Sequence, residues 1–166
     1  KKENIKNLID IGKKTKKICK KYNVRLIIND KPHLVEKIGA DGCHIGQNDI
    51  KLIKIRKILK NKIIGVTCHN SIKLARKAIS DGADYIALGS FFSSKTKKVT
   101  HKANGKIIKK IRNFSKIPIV LICGINSDNY KKLLLHKPNF LAISGYIWKN
   151  SKFKPIQAIR KIKIWK

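Results

Sequence analysis

One eight-residue phrase occurs twice in this chain and echoes a third time. Gly39-Ala40-Asp41-Gly42-Cys43-His44-Ile45-Gly46 returns as Gly82-Ala83-Asp84-Tyr85-Ile86-Ala87-Leu88-Gly89, and more faintly as Pro138-Asn139-Phe140-Leu141-Ala142-Ile143-Ser144-Gly145. Each copy reads as a helix end, a tight turn, a short buried strand and a glycine at the strand tip. Such a unit cannot cover its own apolar face. Repeated along a chain, it builds a parallel sheet with helices packed on it.

The stretches between the copies have the matching periods. Helices are predicted over 3–22, from Pro32 to Ile38, from an Asn48 or Asp49 cap to about Leu59, and over 71–80, 104–114, 127–136 and 152–164. Strands are predicted over 24–28, 42–45, 63–67, 85–88, 118–122 and 140–144. Connections this short between alternating elements admit only βα units. Equivalent units around an axis make a (β/α)8 TIM-type barrel, but only about six strands are present, and a full barrel takes about 250 residues, or about 200 at the lean end. The doubly wound alternative needs no further strands, yet its G-x-G-x-x-G turn is absent. The reading is therefore an α/β chain of barrel type lacking its first strands, with residues 1–166 a single partial domain.

The 18.9 kDa mass and 42% hydrophobic content suit one domain with a real core. The charge is lopsided: 40 Lys+Arg face nine Asp+Glu, a formal +31. Phosphate neutralisation by a nucleic-acid-binding protein is one reading of that excess. The preferred one is compositional drift: only five of the basic residues are Arg (25, 56, 76, 112, 160), and the lysines are spread over every helix. Arginine forks and stacking aromatics are the stronger tools of nucleic-acid recognition. No specific nucleic-acid partner is expected, and homo-oligomerisation stays open. Cys19, Cys43, Cys68 and Cys123 are isolated, which argues against zinc or disulfide frameworks and for thiols in a reducing cytoplasm. No stretch approaches the length of about 18 apolar residues that spans a membrane. The chain has no Met and opens Lys1-Lys2, so an upstream segment is expected.

In parallel α/β folds ligands gather at the carboxyl ends of the strands. Leu26-Ile27-Ile28 ends in Asn29-Asp30, and Cys43-His44-Ile45 ends in Gly46-Gln47-Asn48-Asp49. Each aspartate alone would read as a helix cap. Two scarce acids at consecutive tips are better explained by a shared divalent cation, because Mg²⁺ takes one or two carboxylates plus substrate phosphates. The loop Ser93–Lys98 mixes hydroxyls, amides and lysines as phosphate binding requires, against the plain alternative of a solvated lysine-rich loop. Gly124, Ile143 and Ser144 end the last two strands, where barrels hold phosphates on backbone amides. His69 is assigned to helix capping or packing, His44 to core or barrel lining, and Trp148 and Trp165 to packing of the last helix. The adjacent pair Cys68-His69 lacks the geometry of a nucleophile–base dyad.

Taken in order, Ile28-Asn29-Asp30, Gly39 to Asp49, Gly65-Val66-Thr67-Cys68-His69-Asn70, Gly82-Ala83-Asp84-Tyr85, Thr96-Lys97-Lys98, Gly124-Ile125 and Ile143-Ser144-Gly145 resemble thiamine phosphate synthase over nearly the whole chain. That resemblance implies a (β/α)8 barrel and a Mg²⁺-dependent transferase. The reaction joins hydroxymethylpyrimidine diphosphate to a thiazole phosphate, giving thiamine phosphate and pyrophosphate. It implies Mg²⁺ at Asp30 and Asp49, the pyrimidine held by Asn29 and Thr67, and its diphosphate by a catalytic Lys97. It further implies the thiazole phosphate between Ser94, Lys95 and Thr96 on one side and Gly124, Ile143 and Ser144 on the other. The chemistry implied is ionisation: pyrophosphate departs and the thiazole nitrogen captures the pyrimidine cation. The family's Q-x-R-x-K strand is absent, so the chain is expected to begin after it and to show weak or no turnover, with two unpaired sheet edges. Ser90 stands where the related thiazole tautomerases carry His, which weighs against a tautomerase-like relative that binds thiazole phosphate without coupling. Cys123 replaces a frequent Gly.

Overall fold

The computed structural model describes residues 4–93 and 102–162. In chain order it contains α1 (Ile5–Lys21), β1 (Ile27–Asn29), a 3-10 turn (Pro32–Leu34) running into α2 (Val35–Ile38), β2 (Gly42–Ile45), α3 (Leu52–Ile58), β3 (Ile63–His69) and α4 (Ile72–Ser80). Then follow β4 (Tyr85–Leu88), α5 (Gly105–Arg112), β5 (Ile119–Ile122), α6 (Tyr130–Leu134), β6 (Phe140–Ala142), α7 (Gly145–Trp148) and α8 (Pro155–Lys161). All six strands are parallel and their spatial order is their sequence order. A doubly wound sheet reverses direction at a switch point. This one winds one way throughout, which is the barrel sense, and among the described residues β1 and β6 are its edges.

Alternation along the strands divides the residues between two faces. Cys43 and Ile45, Ile64, Val66 and Cys68, Ile86 and Leu88, and Ile119 and Leu121 are buried and form the core with Ile55, Ala75, Ile107, Ile111 and Leu133 from the helices. The other face carries Asn29, His44, Gly65, Thr67, Tyr85 and Val120, which are less buried except for Gly65. The sheet thus packs its helices on one side and presents a polar-spotted face on the other.

The repeated phrase has a shared structural job at the amino ends of the strands. Asp41 Oδ2 accepts the Leu26 amide at 2.7 Å, Asp84 Oδ2 the Ile64 amide at 2.7 Å, and Asn139 Oδ1 the Ile119 amide at 2.9 Å. Each side chain therefore ties the start of the preceding strand to its own turn. A cation from the helix before that preceding strand completes each knot: Lys16 on Asp41, Arg56 on Asp84, Arg112 on Asn139. Arg56 also donates to the carbonyls of Leu59, Lys60, Lys62 and Gly82, a fan that a lysine could not make. Gly39 closes α2 in the left-handed conformation at φ 73°.

Several expectations need correction. Neither Asn48 nor Asp49 caps α3, which starts at Leu52 behind Lys51 with no side-chain cap, because the Asp49 carboxylate is occupied elsewhere. The helix expected over 127–136 is the shorter α6, and α7 was not foreseen. Trp148, expected to pack the last helix, is 71% exposed and outside the core; Trp165 lies outside the described residues.

Candidate active site

Backbone geometry sets the rim at the carboxyl ends of the strands. Asn29 pairs with His44 across β1 and β2, and the Asp30 amide donates to the His44 carbonyl at 2.9 Å. Asp30 adopts a left-handed φ of 60° and is exposed. The 3-10 turn after it has no side-chain cap, so the simple explanation of Asp30 as a helix cap fails. One residue-pair further along, Asp49 Oδ2 accepts the Gly46 amide at 2.6 Å, which folds the β2 tip back on itself. The two aspartates therefore stand at the same end of neighbouring strands, as the sequence led one to expect. Four other acids pair with cations: Asp41 and Asp84 at the opposite end of the strands, Asp81 with Lys77, and Glu36 with Lys62.

Thr67 lies on the next strand, half-buried, with its carbonyl accepting the side-chain Nε2–H of Gln47 from the β2 tip. The β3–β4 ladder slips just beyond it, Thr67 facing Ala87 and His69 facing Leu88, a bulge of the kind that re-aims a chain at a site. His69 takes a left-handed φ of 51° there, and its carbonyl accepts the Gly89 amide. It does not cap α4; Ser71 does, with Oγ accepting the Leu74 amide at 3.2 Å. Burial pushes the Cys68 thiol up to about 12 and the Cys43 thiol up to about 11, so neither is a nucleophile at neutral pH.

The loop after β4 is anchored at both ends. The Ala103 amide donates to the Ser90 carbonyl at 2.7 Å, and Asn70 Nδ2 to the Lys102 carbonyl at 2.9 Å. Ser94, Lys95, Thr96 and Lys97 lie outside the described residues. Their neighbour Ser93 abuts the β5 tip: a Cβ on Gly124 would stand 2.3 Å from the Ser93 carbonyl oxygen. Gly124 is thus needed for close approach as well as for its φ of 69°. Its carbonyl is held by Asn129 Nδ2 at 2.9 Å. Ile143 packs on the core, and Ser144 is exposed at the start of α7.

His44, read from the sequence as core or barrel lining, and Tyr85, quoted only within a motif, were not read as partners of Thr67. His44 Nε2 lies 2.8 Å from Thr67 Oγ1, and His44 Nδ1 lies 2.9 Å from Tyr85 Oη. The available signal was Gly65 inside an apolar strand, a mark of close approach by something else. A shallow depression bounded by Ser127, Phe153, Gln157, Arg160 and Lys161 contains none of the expected site residues.

Among the described residues no group of three or more His, Cys, Asp or Glu is placed to hold a metal. Two carboxylates at one rim are not a protein cage. In general Mg²⁺ is held by one or two carboxylates together with substrate phosphates and water.

Comparison with known proteins shows the family and the fold. A family profile described as thiamine monophosphate synthase matches residues 1–147. The chain is 62% identical to a thiamine-phosphate synthase of Pelagibacter ubique over 98% of its own length and 79% of that protein's. It is 43% identical to the synthase of Clostridium tetani over 77% of its length, spanning 61% of that protein. A solved thiamine phosphate pyrophosphorylase from Pyrococcus furiosus superposes with a TM-score of 0.87 at 25% identity, over 98% of this chain and 77% of that one. A 3-hexulose-6-phosphate synthase from Salmonella typhimurium, 18% identical with a TM-score of 0.66, shares the fold. No described helix is long and apolar enough to cross a membrane. The chain belongs to the thiamine monophosphate synthase family of enzymes.

Proposed function

We propose that this chain couples hydroxymethylpyrimidine diphosphate to a thiazole phosphate with Mg²⁺, releasing pyrophosphate, in the cytoplasm. The observation that carries the reading is the placement of Asp30 and Asp49 at the ends of adjacent strands, while the acids of the repeated phrase are tied down at the opposite ends. Asp30 has no capping duty, and Asp49 uses Oδ2 on Gly46, so Oδ1 is the atom it would offer a cation. When bound, Mg²⁺ would neutralise charge developing on the departing diphosphate. Lys97 is assigned the same anion, and Asn29 and Thr67 the pyrimidine ring. Ser94, Lys95 and Thr96 are assigned the thiazole phosphate, facing Gly124, Ile143 and Ser144. Ionisation followed by capture needs charge stabilisation and alignment more than a general base. None of these assignments asks a side chain to take a proton from carbon.

The test is coupling by the purified chain, followed by chromatography of thiamine phosphate and pyrophosphate across a Mg²⁺ titration. Asp49→Asn keeps an oxygen for the Gly46 amide while removing the charge, and Asp30→Asn removes charge from a group with no structural duty. Each is expected to lower turnover and raise the Mg²⁺ requirement by more than about tenfold, since even outer partners of a metal site cost about 10–100-fold. Failure to form thiamine phosphate at any Mg²⁺ concentration, or turnover indifferent to both substitutions, overturns the proposal.

A further inference from the structure

Three adjacent strands place one row of residues at the same level: His44 on β2 is in register with Gly65 on β3, and Gly65 with Tyr85 on β4. Any side chain at the middle position would block the outer two. A Cβ on Gly65 would stand 1.9 Å from Tyr85 Cζ, so the tyrosine ring lies across the glycine. It reaches His44, with ring centroids 5.5 Å apart and planes 24° from parallel. Thr67, two residues beyond Gly65 on the same face, receives the other end of the imidazole. Tyr85 Oη, His44 and Thr67 Oγ1 therefore form one hydrogen-bonded line ending at the site rim.

Such a line can be polarised two ways, and chemistry separates them. A phenol is a far stronger acid than a neutral imidazole N–H or an aliphatic hydroxyl, and a bare imidazole nitrogen is the best acceptor of the three groups. The favoured order has Tyr85 Oη–H donating to Nδ1, and Nε2–H donating to Thr67 Oγ1. Burial, with the neighbouring Cys43 as the smaller cause, pushes the Tyr85 hydroxyl up to about 12, so its proton stays in place at neutral pH. Once Thr67 Oγ1 accepts from His44, its own proton is directed elsewhere.

We infer that His44 and Tyr85 are positioning residues that fix Thr67 as a hydrogen-bond donor, so that strand β3 selects an acceptor atom, a ring nitrogen, on the heteroaromatic substrate. This rests on the proposed reading of the site. A hydrogen bond donated into a ring about to become cationic holds the neutral ring better than the cation. Its loss is then read in KM more than in kcat.

The tautomer is measured on the whole chain labelled with ¹⁵N-histidine, by long-range ¹H–¹⁵N correlation, with the His44 signals assigned by their loss in His44→Gln. Nε2 is expected to carry the proton and Nδ1 to be bare. Tyr85→Phe keeps the ring and its volume but removes the donor, and is expected to shift the tautomer toward Nδ1–H. It is also expected to raise KM for the pyrimidine diphosphate about three- to tenfold, the span of one neutral hydrogen bond, with kcat within about twofold. Thr67→Ser is expected to stay near wild type and Thr67→Val to match Tyr85→Phe. A protonated Nδ1 in the wild-type chain, or a tautomer indifferent to Tyr85→Phe, overturns the inference whatever the enzyme catalyses. Absence of coupling with the expected tautomer would instead count against the assigned reaction, and with it against the role of this line in substrate selection.

Discussion

Replacing Asp41 with Ala should unfasten the first strand from the second, and the cost can be worked from its contacts. Asp41 Oδ2 accepts the Leu26 amide at 2.7 Å, and both carboxylate oxygens meet Lys16 Nζ, at 2.7 and 2.6 Å. Loss of a hydrogen bond to a charged acceptor costs about 1.5–3 kcal/mol when the donor is left partly buried. The ion pair, with side chains 25% and 30% exposed, adds no more than about 1 kcal/mol. The two share one carboxylate and do not add fully, so about 2–3 kcal/mol is expected for Asp41→Ala. Asp41→Asn keeps the acceptor, as Asn139 does for Ile119, and should cost about 1 kcal/mol. Urea denaturation followed by circular dichroism measures both, with the m-value serving to check that the unfolded state is unchanged. An Ala variant within about 0.5 kcal/mol of wild type, the range of an ordinary surface substitution, would refute the reasoning. An Asn variant as damaged as the Ala one would do the same. Acid pH supplies a second arm. Burial alone would raise the Asp41 carboxyl, but the Lys16 and Leu26 hydrogen bonds, with the charges of Lys16 and Lys62, outweigh it and hold the group below its ordinary value. A lowered carboxyl stabilises the fold fully above the unfolded-state value and loses that contribution as pH falls through the folded one. The advantage of wild type over Asp41→Asn should therefore fade as pH falls through the acid range.

Two further substitutions probe the rim from the backbone side. Gly65→Ala must displace the Tyr85 ring from a 1.9 Å approach, so it should destabilise by about 1–3 kcal/mol and break the His44–Tyr85 bond, visible as an altered His44 nitrogen spectrum. Cys123 holds a φ of 74°, which costs an L-residue about 1–2 kcal/mol; Cys123→Gly relieves it at an entropic cost of about 0.5–1 kcal/mol. A net gain of about 0.5 kcal/mol is expected, read as a melting temperature higher by about 1–2 °C.

The fold, and the strand ends at which the candidate site is placed, were legible in the linear text, because both depend on patterns that a strand or turn imposes locally. The repeated Gly-Ala-Asp phrase announced equivalent βα units, and the polar tips Asn29-Asp30 and Gly46 to Asp49 announced the ligand end. Helix starts were less legible, since a carboxylate serves whichever amide the loop brings to it: Asp49 turned to Gly46 and left α3 to begin without a side-chain cap. The one-way strand order, which separates a barrel-type sheet from a doubly wound one, is a tertiary property. So is the double life of the acids. Asp41 and Asp84 read as turn residues, yet each fastens a strand start 15 or 20 residues earlier in the chain. The line from Tyr85 through His44 to Thr67 was least readable of all: its members are 41 and 23 residues apart in sequence. Only parallel register, with a glycine at the middle position, brings them within hydrogen-bonding distance.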